Sequence, residues 1–342
     1  MVAWVPFLYI LMTKNVVPWI LGGLVVALTA QGGCASRLAK AGAVGGLGDG
    51  SVIAKREVYK QIGSTQLPMS IYSPRGDLDK NGRPAIIFFF GGGWSSGTPA
   101  QFEAQARYFA SRGMIAMTAD YRVRSRHKSQ VIDSVSDARS AVRWVRIHAS
   151  RLGVDPQRIA ASGGSAGGHL AASTAFIREF DDPREDTKTS AEPNALVLFN
   201  PALMLAPHEG SNFRNLRGVP EREFLGADPE RISPVHHIKA GGPPTIIFHG
   251  SMDQTVPIET ARFFSDRMKS LGNSCLLVEF QGQGHGFFNQ EKYLRETLEK
   301  SDNFLKRLGW LQLNEQYTRC VICQEEGVIV ASLTGWLGVF GG

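Results

Sequence analysis

The sequence predicts an α/β protein: a doubly wound, mostly parallel sheet with helices on both faces. Three observations lead there. First, "RPAIIFFFGGGW", "ALVLFNP" and "PPTIIFHG" are continuous apolar runs of strand length, the pattern of strands covered on both faces. Second, segments with apolar residues at helical spacing separate those runs, and such alternation implies parallel strands joined by helical crossovers. Third, four strands run out into "GGGW", "GGSAGG", "HGSMDQ" and "GQGHG". In such sheets ligands bind beyond the carboxyl ends of the strands.

Taken in order, "REVYKQIG" and "QLPMSIYSP" flank Ser64-Thr65 and predict an opening hairpin. "RPAIIFFF" is the first buried strand, "FEAQARYFASRG" a helix ending at Gly113, and "MIAMTADYR" the next buried strand. "VIDSVSDARSAVRWVRIHASRLG" carries Val135, Ala138, Val142 and Val145 at helical spacing and predicts a helix stopping at Gly153. "RIAASGG" is a short strand and "AGGHLAASTAFIREF" a helix. "ALVLFNP", "PPTIIFHG" and "CLLVEFQG" are further buried strands, and Leu294, Leu298, Leu305 and Leu308 mark one face of a closing helix.

The chain has 342 residues, 43% hydrophobic and 20% charged, an ordinary globular composition. Its net charge of +6 is modest for the length. The densest basic run, Arg122, Arg124, Arg126, His127 and Lys128, reads as a solvated loop, with an anionic-ligand contact as the alternative. Nucleic-acid binders gather basic residues on one face, so no nucleic-acid partner is expected. Four cysteines make no disulfide framework: Cys34 lies near the N-terminus, Cys275 in a strand, and Cys320 and Cys323 form a lone CxxC. A metal site would want a second pair or nearby histidines. The pair reads as incidental, and no metal is expected.

Residues 1–34 read as an export signal outside the fold. Started from Met12, Lys14 is the basic n-region, Val16 to Ala30 the apolar core, and Gly32-Gly33-Cys34 the small-residue end. That ending resembles a bacterial lipobox with Cys34 as the lipidated residue, although Gln31 departs from it. The alternative is a retained transmembrane anchor. Residues 35–50, small and glycine-rich, read as a flexible tether. The catalytic domain is expected over 51–311, and 312–342 form a tail of no assigned role. The protein is expected to be exported, with N-terminal membrane attachment one outcome.

Gly163-Gly164-Ser165-Ala166-Gly167 satisfies G-x-S-x-G with a strand before it and a helix after. Gly163 and Gly167 leave room for Ser165 on a tight turn. A phosphate loop would instead need G-x-G-x-x-G, or Lys then Ser/Thr, and neither is present. A serine hydroxyl needs a base. His285, in a glycine-flanked loop after the last strand, is the candidate. His249, ending a buried strand, reads as packed, and His169, four residues beyond Ser165, as facing scaffold. Asp253 lies beyond the preceding strand, where a carboxylate can orient the imidazole. Gly92 and Gly93, with the amide of Ala166, offer donors to an oxyanion. One such donor is worth about 2.7–4 kcal/mol in the transition state.

With these residues in place, the chain resembles the α/β-hydrolase superfamily, from about Arg56 to Leu311. Within it the likeness is to the esterase/lipase branch: hormone-sensitive-lipase-like proteins and bifunctional feruloyl/acetyl-xylan esterases. "FFGGGW", "ADYR", "GVDPQRIAASGGSAGGHLAA", "HGSMDQTVP" and "GHGFF" carry it. The resemblance implies a Ser165–Asp253–His285 triad and an α/β-hydrolase fold. Phe90 stands where many relatives carry the histidine of HGGG. No N-terminal helical cap precedes the sheet, which implies an open site, although Pro201 to Gly242 can form a small lid.

The expected function is ester hydrolysis through an acyl-enzyme, without metal or organic cofactor. The resemblance implies acetylated or feruloylated carbohydrate, or small esters, as substrates. Because His285 must be neutral to act as base, hydrolysis is expected to fall in acid. Two rivals remain. A prolyl-oligopeptidase-like peptidase shares the triad order but usually adds a propeller, for which 342 residues leave no room. A catalytically inactive hydrolase fold used for binding is the other.

Overall fold

The computed structural model describes residues 51–76, 81–211 and 219–312. The segments expected to be an export signal and a tether, Cys34 among them, and the tail beyond Gln312 with its CxxC lie outside the described residues. Among the described residues, eight strands form one sheet in the order β1-β2-β4-β3-β5-β6-β7-β8. They are β1 (Val52–Ile62), β2 (Thr65–Pro74), β3 (Arg83–Phe89), β4 (Ile115–Ala119), β5 (Val154–Gly164), β6 (Ala195–Phe199), β7 (Thr245–Gly250) and β8 (Cys275–Phe280). The hairpin β1–β2 is antiparallel and β2 joins β4 antiparallel; from β4 through β8 every pairing is parallel.

The helices that matter here are α1 (Glu103–Ser111), α2 (Val131–Ile147), α3 (Ala166–Phe176), α4 (Ile258–Ser270) and α5 (Glu291–Arg307). Alternate residues of β3 feed opposite cores. Ile87 and Phe89 pack with α2, α3 and α4, whereas Ile86 and Phe88 pack with α1 and α5. This is the period-2 logic of a strand buried on both sides. Phe88 stacks on Phe102 at 5.2 Å between centroids, and burying such a ring contributes about 1.5–3 kcal/mol. Helix α3 is buried all round, as befits a helix between the sheet and an outer layer.

Four expectations need correction. The helix foreseen up to Gly153 breaks at His148, whose ring Nδ1 lies 2.8 Å from the Trp144 carbonyl; a separate turn, Ala149–Leu152, follows. Helix α3 stops at Phe176, short of "IREF", and Arg139 donates to the Ile177 carbonyl just beyond. The last strand is an edge strand, with Leu276 42% exposed. The basic run is no simple solvated loop. Arg124–His127 is a helical turn, Arg122 forks onto Asp137 and Asp133, and Arg126 pairs with Asp120. Arginine ladders are invisible to a charge count because their acceptors sit elsewhere in the chain.

Candidate active site

Strand β5 delivers Ser165 at its carboxyl end. The residue holds φ +54 and ψ −118, a region that non-glycine residues rarely enter, so the turn lifts its side chain clear of strand and helix. The two neighbouring glycines are explained by crowding. A Cβ on Gly163 would lie 2.5 Å from Gly167 backbone and from the Phe89 carbonyl oxygen, and one on Gly167 would lie 2.0 Å from that same oxygen. Ala166 is the first residue of α3, where backbone amides have no intrahelical acceptor.

His285 follows β8 and Asp253 follows β7. Asp253 Oδ2 accepts from His285 Nδ1 at 2.7 Å, and His285 Nε2 lies 2.9 Å from Ser165 Oγ. Because a carboxylate only accepts, the proton sits on Nδ1 and leaves Nε2 free to take the serine hydroxyl hydrogen. Asp253 Oδ1 is fixed by the amides of Thr255 and Val256, each 2.9 Å away. Burial pushes the Asp253 carboxyl up, but hydrogen bonds from His249, His285 and the Val256 amide outweigh it. They hold Asp253 well below the usual carboxylate range. His249 is packed, as expected, yet it also approaches the triad: its Nε2 donates to the Val256 carbonyl at 2.8 Å and lies 3.4 Å from Asp253 Oδ2.

The glycine loop follows β3. Gly92 has φ +127 and Gly93 φ +59, and a Cβ on Gly92 would lie 2.2 Å from the Ser96 carbonyl oxygen. Only glycine fits both demands. Among the described residues, the amides of Gly92 and Gly93 donate to no protein acceptor. The Gly91 amide donates to Gln101 Oε1 at 2.6 Å and so anchors the loop. Phe90 stacks on Tyr121 at 4.1 Å, and the Tyr121 hydroxyl donates to the Phe90 carbonyl at 2.7 Å. An aromatic packing anchor thus occupies the position where many relatives carry histidine.

Ser165, His285, Gly92 and Gly93 open into a pocket of about 420 Å³. Its apolar walls include Met204, Leu205, Val219, Val256 and Phe288, and among the described residues no Lys, Arg, Asp or Glu lines it. Met204, Leu205 and Val219 come from the segment foreseen as a small lid, which therefore contributes pocket wall.

Two residues at the pocket escaped the sequence reading. Asn200, directly after β6, is fully buried with φ +34 and accepts the Gly286 amide at 3.0 Å, steadying the loop beside His285. Trp94, after the glycines, has φ +56 and donates its indole N–H to His169. A polar residue at a strand end was the available signal for Asn200. Among the described residues no group of three or more His, Cys, Asp or Glu is placed to hold a metal ion.

The BD-FAE family model matches residues 69–268. Esterase LipC of Mycobacterium tuberculosis is 29% identical over 226 residues, 62% of this chain and 55% of its own. Probable carboxylic ester hydrolase LipM of the same organism is 31% identical over 231 residues, 62% of this chain and 52% of its own. The chain spans about half the length of these curated relatives. A solved structure of the native thermophilic esterase Est2 of Thermogutta terrifontis is 51% identical with a TM-score of 0.72, covering 76% of this chain and 94% of that one. The same esterase phosphonylated by sarin is 50% identical with a TM-score of 0.74, covering 76% and 97%.

Proposed function

Because the chain belongs to the BD-FAE family, and its solved relatives are α/β-hydrolase-fold esterases, we propose that it is a serine carboxylesterase for small neutral esters, acetylated or feruloylated carbohydrates among them. One observation carries the reading: the hydrogen-bonded line Asp253–His285–Ser165 ends in a pocket whose described lining holds no Lys, Arg, Asp or Glu, beside glycine amides that donate to no acceptor among the described residues. His285 takes the Ser165 proton as the oxygen attacks the ester carbonyl. The amides of Gly92, Gly93 and Ala166 receive the oxyanion. His285 then protonates the departing alcohol, and water repeats the sequence to release the acid. Asp253 keeps the imidazole in the working tautomer and stabilises its cation.

The described wall, which carries no Lys, Arg, Asp or Glu, disfavours charged acyl groups, since a buried charge without a partner is costly. Rates on p-nitrophenyl esters of rising chain length, acetylated xylan and methyl ferulate test the substrate class. Neutral short esters should turn over fastest. Preference for a peptide substrate, or no labelling of Ser165 by a fluorophosphonate, would overturn the reading in favour of a peptidase or a binding module. Export, with Cys34 as a lipid attachment point, is part of the same proposal and rests on the leader sequence. Fractionation of cells expressing the Cys34→Ser variant and the unaltered chain checks it: membrane retention of the unaltered chain alone is the expected result.

A further inference from the structure

We propose that His169 is a positioning residue for the glycine loop, acting through Trp94. The inference rests on the esterase reading, because donors to an oxyanion have a task only where an oxyanion forms. Trp94 directly follows Gly93, lines the pocket and is 4% exposed. Its φ of +56 is a conformation that a bulky residue adopts only where its surroundings enforce it. Two contacts hold it: the Arg124 amide donates to the Trp94 carbonyl at 3.0 Å, and the side chain is anchored as well. Trp94 Nε1–H donates to His169 Nδ1 at 3.1 Å, and the rings meet edge to face at 5.1 Å.

On its other side, His169 Nε2 lies 2.7 Å from the Ile232 carbonyl oxygen. A carbonyl oxygen only accepts, so Nε2 carries the proton and Nδ1 keeps the lone pair that receives the indole N–H. The two partners select one tautomer of a neutral ring. Burial pulls the His169 pKa down to about 4, against the hydrogen bond to the Ile232 carbonyl.

The imidazole therefore joins three parts of the site. It rides on α3, with its amide bonded to the Ser165 carbonyl at 3.0 Å. It grips the loop through Trp94. It also grips the turn at Ile232, whose neighbour Ser233 accepts the amide of Leu205, a pocket-wall residue, at 2.9 Å. A leucine would fill the same buried volume; the imidazole adds an acceptor toward the loop and a donor toward the wall. Gln101 and Tyr121 hold the entry of the loop through Gly91 and Phe90. Trp94 holds its exit, and Gly92 and Gly93 lie between. Loosening the exit displaces the amides from the oxyanion, which weakens the transition state more than substrate binding.

The test uses the full chain with Trp94→Phe, His169→Leu and the double variant. We read kcat and KM on p-nitrophenyl acetate and the rate of phosphonylation by a fluorophosphonate. Trp94→Phe should lower kcat about tenfold with KM within about twofold, and phosphonylation should slow in proportion. The double variant should be no worse than His169→Leu, because both break one bond. Unchanged kcat in Trp94→Phe, a loss confined to KM, or losses that multiply in the double variant would each overturn the proposal. If His169→Leu does not fold, Trp94→Phe decides alone. An unaltered chain that hydrolyses no ester would defeat the esterase reading instead. The bond is then read from exchange of the Trp94 indole proton: protection lost in His169→Leu supports it, and rapid exchange in the unaltered chain overturns it.

Discussion

The charged knot between β1 and α2 and the pocket at the strand ends both bury polar groups, but they treat them in opposite ways. In the knot, Lys60 sits between Asp137 at 2.9 Å and Asp182 at 3.3 Å, while Arg122 forks onto Asp137 and Asp133. Arg139 and Arg143 share Asp181, each at 2.7 Å. Each of these charges meets an opposite one. Among the described residues the pocket has no Lys, Arg, Asp or Glu in its lining, three non-glycine residues at positive φ, and glycine amides without acceptors. Asn200 Nδ2 and His249 Nδ1 also lack partners among the described residues. Closed hydrogen bonding fixes a scaffold; open hydrogen bonding leaves capacity for a transition state. The pocket lies at the N-terminal end of α3, where Ser165 precedes Ala166, and Arg139 of the knot donates to the Ile177 carbonyl just past its C-terminal end.

The difference can be tested from its strongest contrast downward. Ser165→Ala should lower ester turnover by more than about 10⁴-fold while leaving the melting temperature near that of the parent, as paired kinetics and calorimetry would show. Asp137→Ala should do the reverse. It removes the buried carboxylate that Lys60 and Arg122 share, leaving Lys60 with Asp182 and Arg122 with Asp133, and should cost about 3 kcal/mol of stability, with kcat of the folded fraction little changed. Urea titration measures the first quantity, and a substantial drop in kcat would erase the contrast.

His169 belongs to the pocket's surroundings yet is closed on both ring nitrogens, so it sharpens the comparison. The unfolded chain takes up a proton on this histidine at its ordinary value of 6.5, the folded chain only at about 4. Between these values the unfolded state binds more protons, so stability falls as pH falls, by about 3 kcal/mol across the window. A His169→Gln variant should lose that part of the acid dependence in urea titrations at pH 7 and 4.5. Gly92→Ala comes last. Its Cβ would collide with the Ser96 carbonyl oxygen, and displacement of the donor amide should cost about 10²-fold in kcat. Loss of KM alone would show that the loop serves binding instead.

The sheet was legible because strands buried on both faces are written as unbroken apolar runs. Ser165, Asp253 and His285 were legible because each lies in a short pattern with its own backbone demands, and the structure brings the three within hydrogen-bond reach. What escaped the sequence are pairings between distant positions. Lys60 and Ser136 stand 76 residues apart, and Trp94 and His169 stand 75 apart. No local pattern announces a partner at that separation, so His169 read as scaffold; Arg122 read as solvated because its acceptors, Asp133 and Asp137, sit on the following helix, 11 and 15 residues on. Helix ends were misread for a different reason: His148 breaks α2 at a point where the apolar spacing continues.

The left-handed backbone at Trp94, Ser165 and Asn200 has an evolutionary corollary. Each such residue costs on the order of 1–3 kcal/mol, so the pocket, which holds three of the five non-glycine residues at positive φ among the described residues, is a part of the chain where relaxation is rewarded. Substitutions that ease these angles, such as Asn200→Gly, form a reservoir of variants that melt later and turn over more slowly. Selection for thermal endurance alone would therefore erode the enzyme from its centre outward, and only selection for catalysis keeps the three angles where they are.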